Sequence, residues 1–123
     1  LEARLAEAAR DKLIPDTTVE MKMRRGRPAF RANAASRALA AHAQSIFGEI
    51  GQTLDVRERS AGGGTDAAYA AMRARGGVLE GFGLRGAGSH SNDREYIFVS
   101  SIVPRLYLAT RMVMDIGAGK VTW

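Results

Sequence analysis

Large apolar side chains are scarce in this sequence: Leu, Ile, Val and Phe account for 26 of 123 residues. That is about a fifth, close to the level at which a chain stops burying enough surface to fold. A chain of this length ordinarily makes one compact domain. Here the first residue is Leu1 rather than methionine, and a helical pattern begins at once. The expectation is a piece of a longer protein that borrows its packing partners.

Other totals narrow the function classes. No apolar run approaches the roughly 18 residues needed to span a bilayer, so no membrane partner is expected. The absence of cysteine rules out disulfides, thiolate metal ligands and a cysteine nucleophile, and fits any compartment. The net charge of +5 would ordinarily raise nucleic acid as a partner. However, 15 of the 18 positive residues are Arg, and Ala, Gly and Arg together make 50 of the 123 residues, a bias that GC-rich codons produce alone. The eight aromatic residues are scattered rather than interleaved with the arginines, so no stacking platform is expected and no nucleic acid.

Periodicity divides the chain into alternating helices and strands, a mixed α/β class. Leu1, Leu5, Ala8, Ala9 and Leu13 share a helical face that Pro15 and Asp16 end. Val19, Met21 and Met23 then alternate with charged residues, as in a strand with one buried side. A second helix starts at Asn33 or Ser36, carries Leu39, His42, Ala43, Ile46, Phe47 and Ile50 as its stripe, and stops at Gly51. Leu54 and Val56 suggest a strand, Gly62 to Gly64 a turn, and Thr65-Asp66 the cap of an Ala-rich helix reaching Arg75. Val78 to Phe82 and Tyr96 to Val99 read as short strands around a polar loop, residues 83 to 95. Ser101 would cap a last helix with Leu106, Ala109, Val113 and Ile116 as its buried stripe.

Few residues could carry chemistry. Gly81-Phe82-Gly83-Leu84-Arg85-Gly86 matches G-x-G-x-x-G, but a loop rather than a helix follows and no acidic residue lies about 20 positions on, so no dinucleotide site is expected. The triple glycine before Thr65 is either a tight turn or a row of exposed backbone N–H groups suited to an anion. Arg27, between Gly26 and Pro28, belongs to a basic run with Arg24, Arg25 and Arg31. The run is either a solvated face or, at Arg27, a fixed guanidinium able to grip a carboxylate or phosphate with two parallel hydrogen bonds. His42, on a helical apolar face, reads as a core or interface histidine satisfied by a partner. His90 stands in a polar loop, where metal ligands and catalytic groups are displayed, yet one histidine is not a metal site.

Taken together, Gly26-Arg27-Pro28-Ala29-Phe30, Gly62-Gly63-Gly64-Thr65-Asp66-Ala67-Ala68-Tyr69, Gly88-Ser89-His90-Ser91 with Glu95-Tyr96, and the helix from Pro104 to Asp115 resemble a known family. They resemble the C-terminal part of the zinc-dependent glutamate carboxypeptidases, within the aminoacylase and desuccinylase metallopeptidases. The resemblance implies a two-domain metallopeptidase, with a paired-zinc α/β catalytic domain and an inserted βαββαβ lid through which the protein forms a homodimer. Residues 1–30 would be the end of the lid, and residues 31–123 the C-terminal part of the catalytic domain. It implies His90 as a zinc ligand, Glu95 as the residue orienting its loop, and Arg27, Gly63, Gly64 and Thr65 as binders of the terminal carboxylate of a peptide or N-acyl amino acid. Ser89, Asn92 and Asp93 depart from the family's loop around His90. The family's other zinc ligands and its glutamate base are absent from these 123 residues. The implied function is a fragment that supplies one ligand and a carboxylate clamp and does not hydrolyse anything alone. The alternative is an inactive anion-binding or dimerisation module.

Overall fold

The computed structural model describes residues 1–58 and 62–121. In chain order the elements are α1 (Glu2–Ala8), α2 (Ala34–Glu49), α3 (Ala67–Ala71), β1 (Gly86–Ala87), β2 (Tyr96–Ile97), a 3-10 turn (Val99–Ser101) and α4 (Ile102–Gly117). The core lies between the two long helices. Leu39, Ala43, Ile46 and Phe47 of α2 meet Leu108 and Met112 of α4, with Leu54 closing one side. Leu79, Phe82, Tyr107 and Val121 pack around this cluster.

The ends of both helices are fixed by local chemistry. At the start of α2 the Asn33 side-chain oxygen accepts from the Ser36 backbone N–H at 2.7 Å, satisfying one of the N–H groups a helix start leaves unpaired. At its end Gly51 takes φ +69, its N–H donates to the Gly48 carbonyl, and the Gln52 N–H reaches back to Phe47 at 3.1 Å. This glycine-terminated Schellman closure recurs after α4, where Gly119 has φ +69 and Lys120 N–H donates to the Asp115 carbonyl at 2.9 Å. Gly77 lies on the first turn of α2: a Cβ there would meet the Ala35 carbonyl carbon at 2.5 Å. The neighbouring Val78 N–H donates to the buried Ser36 hydroxyl at 3.1 Å. Residues 77–79 are thereby tied across α2.

Several expected elements differ. The first helix ends at Ala8, buries no residue and leaves Leu13 in solvent. Residues 18–32 make no backbone hydrogen bond to other backbone among the described residues, so the alternating Val19, Met21 and Met23 are not a strand. A strand exists through its ladder, and here no described segment supplies the second rail. The same holds at Leu54–Val56 and Val78–Phe82: Leu54 is buried, but the only sheet among the described residues is the antiparallel pair β1–β2, with Gly86 opposite Ile97 and Ala87 opposite Tyr96. β1 lies inside the stretch expected to be loop.

The last helix turns a different face inward. Leu108, Met112 and Asp115 are buried, whereas Leu106, Val113 and Ile116 are exposed and Ala109 is only half-buried. This helix is apolar on two sides, so periodicity alone allowed either face. Contact with α2 and the pairing of Asp115 with His42 select the Leu108 side. Ser101 precedes α4, but its hydroxyl does not cap it. It donates to the Phe98 carbonyl at 2.7 Å and accepts from the Arg85 N–H at 3.1 Å, fastening the start of α4 to the strand pair.

Candidate functional site

Arg27 and the glycine turn, far apart in sequence, meet in the structure. The Arg27 side chain crosses Gly64, where an added Cβ would lie 3.1 Å from both Cδ and Nη1 of the arginine. Its Nε stands 3.2 Å from Asp66 Oδ1. Thr65 Oγ1 accepts the Ala67 N–H at 3.1 Å, so of the expected Thr65-Asp66 cap it is the threonine that bonds to the helix start, while the Asp66 side chain makes no cap bond. The helix that follows ends at Ala71 rather than reaching Arg75, a single turn and a half with little dipole of its own. What this turn offers an anion is therefore the guanidinium and the bare backbone, not a helix end. Gly63 and Gly64 are exposed, Thr65 is half-buried, and all three line a broad open cleft of about 1380 Å³.

The His90 loop is built by different constraints. Gly88 has φ +73, and a Cβ on it would collide with the Arg94 carbonyl, so the turn admits glycine alone. His90 itself takes φ +69, a left-handed conformation uncommon for a residue with a side chain. The Ser91 N–H donates to the Gly88 carbonyl at 2.9 Å, and the Ser91 hydroxyl donates to Asp93 at 3.0 Å. The imidazole is exposed and makes no hydrogen bond among the described residues. Glu95 is exposed as well, with no hydrogen bond to His90 among those residues. Among the described residues no hydrogen bond or ion pair links His90 to the Arg27 group.

Among the described residues no three of His, Cys, Asp and Glu come together as a metal site. What fits a zinc ion is thus one accessible imidazole, a single ligand of the three or four that zinc takes from protein.

The strongest polar construction joins the helices instead. Glu49, at the end of α2, accepts from the Tyr107 hydroxyl at 2.8 Å and from Arg111 Nη1 at 2.7 Å. Asp115, 4% exposed, accepts from Lys120 Nζ at 3.1 Å and pairs with His42 Nε2 at 3.0 Å, with Arg111 Nη2 at 3.6 Å. Donation from Lys120, and then from His42, holds the Asp115 carboxyl below its ordinary range despite burial. The hydrogen bonds from Tyr107 and then Arg111 lower Glu49 in the same way. His42 is therefore a satisfied histidine within the helix interface. Sequence reasoning passed over Glu49, Arg111 and Asp115, although Tyr107, Arg111 and Asp115 follow one another at four-residue spacing on one face of α4.

A model of the peptidase family M20/M25/M40 matches residues 5–115 of this chain. Carboxypeptidase G2 of Pseudomonas sp. (strain RS-16) is 47% identical over 116 residues, which cover 94% of this chain and 28% of that relative. The chain thus spans little more than a quarter of the length of the curated relative it matches.

Proposed function

The chain belongs to the peptidase family M20/M25/M40, and from this we propose that it is the C-terminal part of a zinc-dependent glutamate carboxypeptidase. The whole enzyme hydrolyses the amide bond next to a C-terminal glutamate or similar amino acid. Residues 1–30 end its lid and residues 31–123 return to its catalytic domain. The observation that carries this reading is the contact of Arg27 with Gly64 and Asp66, which unites the two carboxylate-gripping features from opposite sides of that boundary.

Each residue has a separate task in this reading. The guanidinium of Arg27 binds the substrate's terminal carboxylate through a pair of charge-assisted hydrogen bonds. Exposed backbone N–H groups at Gly63 and Gly64 and the Thr65 hydroxyl complete that grip. His90 presents its imidazole to zinc from a loop held by Gly88, and Glu95 orients the loop. Zinc, when bound, polarises the scissile carbonyl and lowers the pKa of a bound water. The general base and the remaining ligands come from sequence outside these residues.

The outward side of α4 supports a larger catalytic unit. Val103, Leu106, Val113 and Met114 are exposed there, and Tyr96 to Val99 form an exposed apolar run of the kind found in strands covered on both faces. The exposed Val19, Met21 and Met23 suit a lid segment that pairs with further strands, and the lid is where the enzyme forms a homodimer. The test is a chimera in which this segment replaces its counterpart in the Pseudomonas carboxypeptidase G2. Zinc-dependent release of glutamate from an N-acyl glutamate is expected. A chimera that folds and binds glutamate without metal or turnover would instead establish the inactive anion-binding module.

A further inference from the structure

We propose that Asp66 is the positioning residue of the carboxylate clamp, holding Arg27 by its Nε edge so that its terminal nitrogens face the substrate. The inference rests on the clamp assigned to Arg27 above and adds the group that aims it.

Three neighbouring residues divide the work. Gly64 offers a flat backbone on which the arginine lies, with Cδ and Nη1 already where a Cβ would sit 3.1 Å away. Thr65 caps the short α3 by accepting the Ala67 N–H. This releases Asp66 from the capping duty its place at the helix start would give it, and its carboxylate stands 3.2 Å from Arg27 Nε instead. A guanidinium is a planar fork, so fixing one edge fixes the direction of the other. Among the described residues the contact with Asp66 is an ion pair, nearest at Nε, and Arg27 Nη1 and Nη2 make no hydrogen bond. Those two nitrogens present the parallel N–H pair that a carboxylate accepts.

The arrangement addresses a specific weakness. Arg27 is 52% exposed at its side chain and sits in a stretch that makes no backbone hydrogen bonds to other backbone among the described residues. A long flexible side chain on such a segment would lose much rotamer freedom on binding substrate, and an anchor at Nε removes part of that loss beforehand. Asp66 also carries a negative charge near an incoming carboxylate, which opposes binding. The proposal is that orientation outweighs repulsion.

The experiment uses the carboxypeptidase chimera, with KM and kcat for an N-acyl glutamate and the inhibition constant of free glutamate as a binding readout. Asp66→Asn is expected to raise both KM and the inhibition constant about three- to fivefold, the range of an exposed ion pair, with kcat within about twofold. Asp66→Glu restores part of the loss. In an Arg27→Ala background, Asp66→Asn no longer weakens binding and tightens it slightly, because only the repulsion of the incoming carboxylate is left to remove. Neither change alters binding of a substrate whose glutamate α-carboxylate is replaced by an amide. If Asp66→Asn does not fold, Asp66→Ser carries the same cycle. The proposal is overturned if removing the carboxylate leaves binding unchanged or tightens it, or if its effect adds in full to that of Arg27→Ala. If Arg27→Ala itself leaves binding unchanged, the clamp fails and the positioning role falls with it. If only Arg27→Ala weakens binding, the clamp stands and Asp66 is not its anchor.

Discussion

The two leucines of α4 make a paired test of packing. Leu108 is 0% exposed, wedged among Leu39, Ile46 and Met112 in the core, while Leu106 is 64% exposed on the opposite side of the same helix. Truncating a fully buried leucine to alanine costs about 2–5 kcal/mol, because the transfer energy and the contacts around the cavity are both lost. With a urea dependence of about 1–1.5 kcal/mol per molar for a chain of this size, Leu108→Ala should lower the unfolding midpoint by about 1.3–5 M. It will unfold the chain in buffer if total stability is at the low end of the usual 5–15 kcal/mol. Leu106→Ala in the same chain should move stability by no more than about 0.5 kcal/mol. In the carboxypeptidase chimera the second expectation changes: the proposed function has the outward face of α4 covered there, so Leu106→Ala should cost about 2–4 kcal/mol. Urea unfolding followed by far-UV circular dichroism measures all four cases. Equal costs for the two leucines in the isolated chain would refute the assigned inward face. A neutral Leu106→Ala in the chimera would refute the covered one.

Three further outcomes follow from local geometry. Gly77→Ala should destabilise the chain by about 1–3 kcal/mol, since the new Cβ meets α2 backbone that has no room to move, whereas Gly83→Ala, with nothing within 4 Å, should be near neutral in the same denaturation assay. Asp115 has a folded pKa below its unfolded value, so its contribution is complete above the ordinary aspartate range and lost as pH falls through the lowered value. Acid titration of helicity should therefore show a transition below the ordinary range that flattens in Asp115→Asn. Tyr107→Phe removes the largest cause of the lowered Glu49 pKa, and a carbon-13 NMR titration of that carboxyl should show it moving up toward the ordinary glutamate range.

Local signals in the sequence transferred well where the chemistry was itself local. Asn33 and Gly51 bound α2 in the structure because a cap and a left-handed glycine act within one turn, independent of distant partners. The apolar stripe of α2 also matched its core, through Leu39, Ala43, Ile46 and Phe47. Strands were less legible: Val19, Met21 and Met23 have the right alternation but no paired neighbour among the described residues, and a ladder needs two segments. The face of α4 was ambiguous because both sides are apolar, and the hydrogen bond between buried Asp115 and His42 decided it. At the site, the setting of Arg27 and the glycine turn could be read from composition and spacing. Their mutual contact could not, since nothing in the chain announces which arginine crosses which glycine. The role of Thr65 as cap, with Asp66 freed for Arg27, depends on side-chain geometry that sequence spacing does not distinguish.

The task proposed for His90, displayed on the loop that Gly88 bends, is to bind zinc. The most direct measurement is zinc per protomer in the purified, folded chimera, by elemental analysis, for the parent and His90→Ala. The parent should hold two zinc ions and the variant fewer, with turnover falling in parallel and glutamate-family inhibitors still bound through Arg27. Full zinc content in folded His90→Ala would contradict the assignment and leave the loop without its proposed task.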